Sequence, residues 1–136
     1  MKSRVIVSAI IKKDGKILLG RKPDNLGPYP NAWHLPGGGV NLDDESVEDA
    51  LRREVKEETG LNIKNLKQVS FDEDYEPDKH SQLTHYIFLV YEVDYASGSI
   101  KANDDLERLD WFEKDKLSEI PLTRPSIKLF KQLGWF

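Results

Sequence analysis

Apolar positions alternate with polar ones from Arg4 to Ile11, lapse at Asp14-Gly15 and resume from Lys16 to Gly20. A two-residue period broken by Asp-Gly predicts a β-hairpin. The segment Pro23 to Asn31 contains three prolines and Gly27 and predicts a surface loop. Trp33-His34-Leu35 predicts a short strand that runs into Pro36-Gly37-Gly38-Gly39, a stretch where the backbone can approach a ligand closely. At Val47 the period changes to that of a helix. Ser46 followed three residues later by Asp49 is a start signal, in which each side chain can satisfy the other's backbone N–H, and Gly60 is a stop signal.

Downstream, Ile63 to Phe71 reads as a strand and Asp72 to Ser81 as an acidic loop. Leu83 to Tyr95 is apolar on both alternating faces through Tyr86 to Tyr91, which predicts a central strand covered on both sides. Ser97-Gly98 ends it. Lys101 to Asp105 is a polar connection to a last strand, Leu106 to Phe112, and Thr123-Arg124-Pro125 opens a final helix through Leu133 whose Ile127, Phe130 and Leu133 pack on the sheet.

The 136 residues suffice for one domain with a real core, spanning 1–136, and are too few for two. Without cysteine there is no disulfide framework, thiolate metal site or cysteine nucleophile, and an intracellular setting is expected. No signal pattern or long apolar run appears, so a cytoplasmic protein without a membrane partner is expected. A net charge of −4 argues against a broad nucleic-acid surface, which needs a concentrated basic patch. A small anionic substrate held through a metal fits this charge, and a homodimer is compatible with it.

The predicted helix carries the chemistry. With Val47 at zero and about 100° per residue, Leu51 falls near 40°, Val55 near 80° and Ala50 near 300°. Glu57, Glu54 and Glu58 fall at about 280°, 340° and 20°, on or beside that inward arc, whereas Glu48, Asp49, Arg52 and Lys56 face away. Three carboxylates directed inward repel one another and are costly unless paired or coordinated, so a cation is the economical explanation. Oxygen-only ligands suit Mg²⁺, with Mn²⁺ as an alternative. An ordinary amphipathic helix with glutamates on its wet shoulder is the competing reading of an ExxEE run alone.

The pattern extends beyond that run. Gly39, Glu45, Arg53, Glu54, Val55, Glu57, Glu58, Gly60 and Leu61 match the Nudix box, GX5EX7REUXEEXGU with U aliphatic, at every fixed position. The chain resembles the Nudix hydrolases, MutT-like members included, over essentially its whole length. Trp33 to Gly38 is similar to the family's WXLPGG stretch, and Trp111-Phe112, Asp115, Leu117 and Pro121 are similar to its closing segment. One departure is the link from Pro36 to Glu45, a residue longer than expected, with Asp44 where glycine often precedes the glutamate. It leaves open whether the Gly38 or the Gly39 carbonyl faces a metal.

The resemblance implies the Nudix fold, an α+β architecture with a mixed β-sheet between helices (an α/β/α sandwich), and hydrolysis of a nucleoside diphosphate linked to a further group. It makes Glu54, Glu57 and Glu58 metal ligands, with Glu54 the chosen general base and Asp105 an added acidic ligand, Asp104 and Glu107 standing close behind. Glu45, at the helix entrance, suits the positive end of the dipole and takes a supporting role. Arg53 lies about 100° from Glu54 on the wheel and is not expected to be its same-face partner. By resemblance it orients a box carboxylate or steadies the preceding loop.

Arg21, Lys22 and the proline-rich loop are candidates to line a substrate pocket, as against simple solvated charges. Trp111 and Trp33 are candidates to stack on a base, as against core packing. His34 and His85 have neither HExxH spacing nor a serine partner and read as structural.

Three functions follow. Compact length favours a nucleoside triphosphate pyrophosphohydrolase. Pro77, sixteen residues past the box, is close to a marker associated with ADP-ribose hydrolases and points to a nucleoside diphosphate sugar instead. A non-catalytic nucleotide-sensing module is the third, and the intact set of Glu54, Glu57 and Glu58 counts against it.

Overall fold

The computed structural model describes residues 1–21, 31–101 and 108–136. Strands β1 (Lys2–Lys13) and β2 (Lys16–Arg21) form the expected hairpin. Its turn places Asp14 and Gly15 at φ of 53° and 77°, the left-handed pair that Asp-Gly accepts at low cost. There follow β3 (Trp33–His34), β4 (Gly37–Gly39), α1 (Val47–Thr59), β5 (Asn62–Pro77), β6 (Leu83–Ser97), β7 (Arg108–Glu113), a 3-10 segment (Lys114–Glu119) and α2 (Arg124–Gln132). Among the described residues no helix is long and apolar enough to cross a membrane.

The strands form one mixed sheet in the order β3-β2-β1-β6-β5, with β4 added on β1 and β7 on β2. β1 and β6 run parallel in register from Lys2 opposite Thr84 to Lys12 opposite Asp94, and the other pairs are antiparallel. Alternation of side chains across each strand divides the core into two layers. Val7, Ala9 and Ile11 of β1, Leu18 of β2, and Tyr91 and Val93 of β6 meet Ala50, Leu51 and Val55 of α1. Ile10, Ile17, Leu19 and Val90 point the other way, toward Leu117, Leu129 and Phe130. The sheet thus lies between the two helices, as the Nudix resemblance implies.

α1 begins and ends where its sequence signals place it. The Ser46 hydroxyl accepts the N–H of Asp49, and Gly60 closes the helix at φ 80° with its N–H donated to the Lys56 carbonyl. The Ser46–Asp49 exchange is realised on one side only. The Asp49 carboxylate lies 3.7 Å from Arg52.

Four local expectations are corrected. The acidic stretch from Asp72 is not a loop: β5 continues to Pro77, paired with Leu83, and the connection is only 78–82. There the Asp78 carboxylate accepts the N–H groups of His80 and Gln82, which lowers its pKa to about 2, with Lys2 adding to the effect. Alternate acidic residues of β5 meet cations of α2, Lys128 to Asp72 at 2.9 Å and Arg124 to Asp74 at 2.8 Å and also to Glu76. Second, the three glycines form a strand, with Gly39, Gly38 and Gly37 opposite Ile6, Val7 and Ser8. Third, the apolar run of β6 is not covered throughout: Val90, Tyr91 and Val93 are buried, as is Thr84, whereas Tyr86 to Leu89 are half-buried and Leu83 is exposed. Fourth, Leu129 rather than Ile127 joins Phe130 under α2, and Ile127 is exposed. The expected last strand is seen from Arg108, and positions 106 and 107 lie outside the described residues.

Leu51 has no exposed surface, so Leu51→Ala should cost about 2–5 kcal/mol, because the lost contacts leave a cavity between α1 and the sheet. Ile127→Ala should stay within about 0.5 kcal/mol. Urea denaturation with an unchanged m-value is the measurement, and equal midpoint shifts for the two variants would contradict the layer assignment.

Candidate active site

The predicted acidic residues gather where α1 crosses the glycine strand. Gly38 pairs with Val7, whose side chain is buried under α1, so the missing Gly38 side chain would point at the helix. Its place is taken by the carboxylate of Glu54, which a Cβ on Gly38 would overlap. One turn on, the Glu58 carboxylate is buried at 7% exposure and accepts the Gly37 N–H at 2.8 Å. A carboxylate removed from water needs such a donor. Glu54 is half-buried, whereas the side chain of Glu57 is 47% exposed. The expectation that all three glutamates share the inward face is therefore corrected: Glu54 and Glu58 do so, and Glu57 sits at the rim.

Arg53 ties this cluster together. Its Nε and Nη2 donate to both oxygens of Glu45, at 3.0 and 2.6 Å, in a forked pair. Nη1 donates to Glu54 at 2.9 Å and to Glu57 at 3.2 Å, and Nη2 also reaches the Gly39 carbonyl at 3.2 Å. Arg53 and Glu54 meet despite the angle of about 100° between their Cβ directions. The arginine stem is long enough to bring the guanidinium across to its neighbour. Its contacts therefore run both to box carboxylates and to the backbone of the preceding strand.

Glu45 is held more specifically than a dipole argument requires. The hydrogen bonds from Arg53, then the N–H of Asn41, hold its carboxyl down at about 2, against an ordinary 4.5. Reciprocally, Glu45 and then Glu54 push the Arg53 guanidinium further up, so it stays charged. The eight-residue separation of Glu45 from Arg53 is not a helical spacing, and no sequence signal other than the box itself joins the two.

Among the described residues no three acidic or histidine side chains converge as a ready-made metal cluster. Arg53 draws one oxygen from each of Glu54 and Glu57, and the Gly37 N–H engages Glu58. The backbone of β4 adds carbonyl groups at the same place, Gly39 among them.

The outlying candidates are distributed less closely. Trp111 pairs with Leu18 and packs half-buried against the layer beneath α1. Trp33 is buried in the opposite layer, edge-on to Phe112. Arg21 donates to Asn31 at 2.9 Å, His34 Nδ1 meets the Leu35 carbonyl, and His85 pairs with Glu73 while stacking on Tyr75. Lys22, Asp104, Asp105 and Glu107 lie outside the described residues.

A family model of the NUDIX domain matches residues 1–133. The chain is 32% identical over 138 residues to the nucleoside triphosphatase NudI of Escherichia fergusonii, covering 95% of this chain and 97% of that protein. It is 34% identical over 124 residues to the NudI of Salmonella agona, covering 87% of each. Among solved structures it is similar to a MutT NUDIX hydrolase from Burkholderia pseudomallei, with a TM-score of 0.82 at 30% identity over 98% of this chain and 99% of the other. The Escherichia coli ORF135 protein aligns with a TM-score of 0.73 at 29% identity, covering 98% and 92%.

Because the Glu45 carboxyl is depressed, the stability it lends is full above its ordinary value near 4.5 and disappears as pH falls toward about 2. Glu45→Gln should therefore be less stable than the parent from pH 7 down to about 5. The gap should close between about pH 4.5 and 2. Thermal unfolding of both proteins across that range is the check, and a gap independent of pH would refute the ion-pair account.

Proposed function

Because the chain belongs to the Nudix family, we propose that it is a nucleoside triphosphate pyrophosphohydrolase, releasing a nucleoside monophosphate and pyrophosphate. The observation that carries the proposal is the pair of inward carboxylates, Glu54 and Glu58, seated against the glycine strand and braced by Arg53. Relatives at 32% and 34% identity that bear the name nucleoside triphosphatase support the choice of substrate. Pro77 closes β5 opposite Leu83, a place in the hairpin that accounts for it without a nucleotide sugar.

The donor set fits a hard divalent cation. It is made of oxygen only, from Glu54, Glu57 and Glu58 and from the backbone carbonyls of β4, and the absent Cβ of Gly38 lets carboxylate and backbone come together. We assign Glu54, Glu57 and Glu58 as the side chains that would hold Mg²⁺ or Mn²⁺, with the Gly38 or Gly39 carbonyl beside them. Bound there, the ion would neutralise anhydride oxygens and make an attacking water more acidic.

The chain's own residues supply position and proton transfer. In hydrolysis a water oxygen bonds to the α or β phosphorus, the P–O bond bridging them breaks, and the departing pyrophosphate or nucleoside monophosphate, respectively, keeps the bridging oxygen. We assign Glu54 as the base that receives the water proton, since it lies at the bare strand and Arg53 fixes its orientation. Arg53 is a positioning residue in this scheme, acting through Glu54, Glu57 and Gly39. Arg21, Lys22 and Trp111 are proposed to contact the nucleotide and Asp105 to add a further carboxylate. A cytoplasmic setting belongs to the same proposal and is supported by the absence of cysteine.

Glu58→Gln tests the core of the proposal, because its amide oxygen can still accept the Gly37 N–H while the charge is lost. Mg²⁺-dependent turnover should fall roughly 10²–10³-fold, the equivalent of several kcal/mol of charge stabilisation, with the unfolding midpoint nearly unchanged. A screen of nucleoside triphosphates and nucleoside diphosphate sugars, scored for phosphate and pyrophosphate after coupled digestion, checks the substrate. Undiminished turnover in the variant would remove Glu58 from the metal site, and a preference for diphosphate sugars would overturn the triphosphate assignment.

A further inference from the structure

The glycine strand has two bare faces, and only one belongs to the carboxylates. Gly38 pairs with Val7 on the α1 side, where Glu54 covers it. Gly39 pairs with Ile6 and so faces the other way. Arg4, two residues before Ile6 on the same side of β1, lays its guanidinium over Gly39 so closely that a Cβ there would overlap it. Arg4 is exposed, and among the described residues it makes no hydrogen bond or ion pair.

That isolation is informative beside an acidic cluster. Arg53 serves Glu45, Glu54 and Glu57 on the helix side, whereas among the described residues Arg4 pairs with none of these carboxylates. The backbone of β4 stands between them. β4 is bonded to β1 along one edge and, among the described residues, to no strand along the other. No described strand on that edge bars a chain-like anion from lying with one part beside the carboxylates and another on the far face.

We propose that Arg4, which lies outside the box, is a substrate-binding residue that receives part of the nucleotide's phosphate chain on the Gly39 face. A guanidinium offers a planar fork matched to phosphate oxygens, and it is always charged. The division of labour follows from charge: oxygen ligands for a cation sit on one face of the strand, and a cation for phosphate oxygens sits on the other. Gly39 joins the two sides, its carbonyl engaged by Arg53 and its bare Cα covered by Arg4.

This inference rests on the triphosphate reading, and its test separates the two. Arg4→Ala, Arg4→Lys and, as a control, Arg52→Ala on the outer side of α1 are compared in steady-state kinetics with Mg²⁺ and the preferred triphosphate. They are also compared in calorimetric titration with its α,β-methylene analogue. Arg4→Ala should raise KM and the analogue's Kd on the order of tenfold while kcat stays within about threefold, as expected for a contact made equally in ground and transition states. Arg4→Lys should recover part of the loss, and Arg52→Ala should match the parent. Inorganic tripolyphosphate should weaken as a competitive inhibitor by a similar factor in Arg4→Ala. Unchanged KM and Kd in a parent-active protein would overturn the role of Arg4 alone. A raised KM with unchanged tripolyphosphate inhibition would place Arg4 on the nucleoside and also refute the phosphate assignment. A parent that binds the analogue but hydrolyses no triphosphate would sink the enzymatic reading, and the titration would then still decide on Arg4. A parent that neither binds nor hydrolyses triphosphates would refute both.

Discussion

The forked pair between Arg53 and Glu45 is the constraint from which the rest of the site follows. It joins the helix to the chain segment that enters it and fixes the guanidinium in space. The remaining donors then have a defined direction, toward Glu54, Glu57 and the Gly39 carbonyl. Without that anchor, neighbouring carboxylates on one helix would move apart under their own repulsion. The cost of ordering two long side chains is offset here because the pair is partly screened from water, with Glu45 at 13% side-chain exposure, unlike the ion pairs on the outer side of α1.

The sheet supplies the other half of the arrangement. α1 cannot slide along it, because Ala50, Leu51 and Val55 are buried against β1, β2 and β6. The same helix turns therefore deliver Glu54 and Glu58 to the glycine strand at a fixed height. β4 is narrow because it carries no side chains, and this lets groups from both faces approach one backbone. The division into two layers puts carboxylates on the α1 face of β4 and Arg4 on the opposite face. Ion pairs between α2 and β5 play no part in this site; they hold the acidic half of the long hairpin against the second helix.

Much of this was legible in the residues themselves. Local signals named the turn at Asp14-Gly15, both ends of α1 and the start of α2 at Thr123, because each depends on short-range hydrogen bonding and backbone preference. The box identified Glu54, Glu57 and Glu58 through the resemblance, and helical periodicity gave their shared direction for two of the three. Where periodicity was read alone it misjudged the charged half of β5. An alternation of acidic and aromatic residues has no apolar face, so only its pairing with β6 and the cations of α2 make it a strand. Ile127 was misplaced for a similar reason, since a nine-residue helix can turn either of two adjacent apolar rows inward.

What the sequence determined by itself was local: both helices and most of the strands, the acidic residues gathered on α1, and the family to which they point. The tertiary structure decided which groups meet. Arg53 reaches Glu54 across a helical angle that appeared to separate them, Glu45 becomes its forked partner from eight residues away, and Gly38 and Gly39 are turned to opposite faces by their register with β1. The physical reason is that hydrogen bonds and ion pairs depend on where the far ends of side chains and the neighbouring strand lie. Sequence spacing fixes only the direction in which each side chain starts.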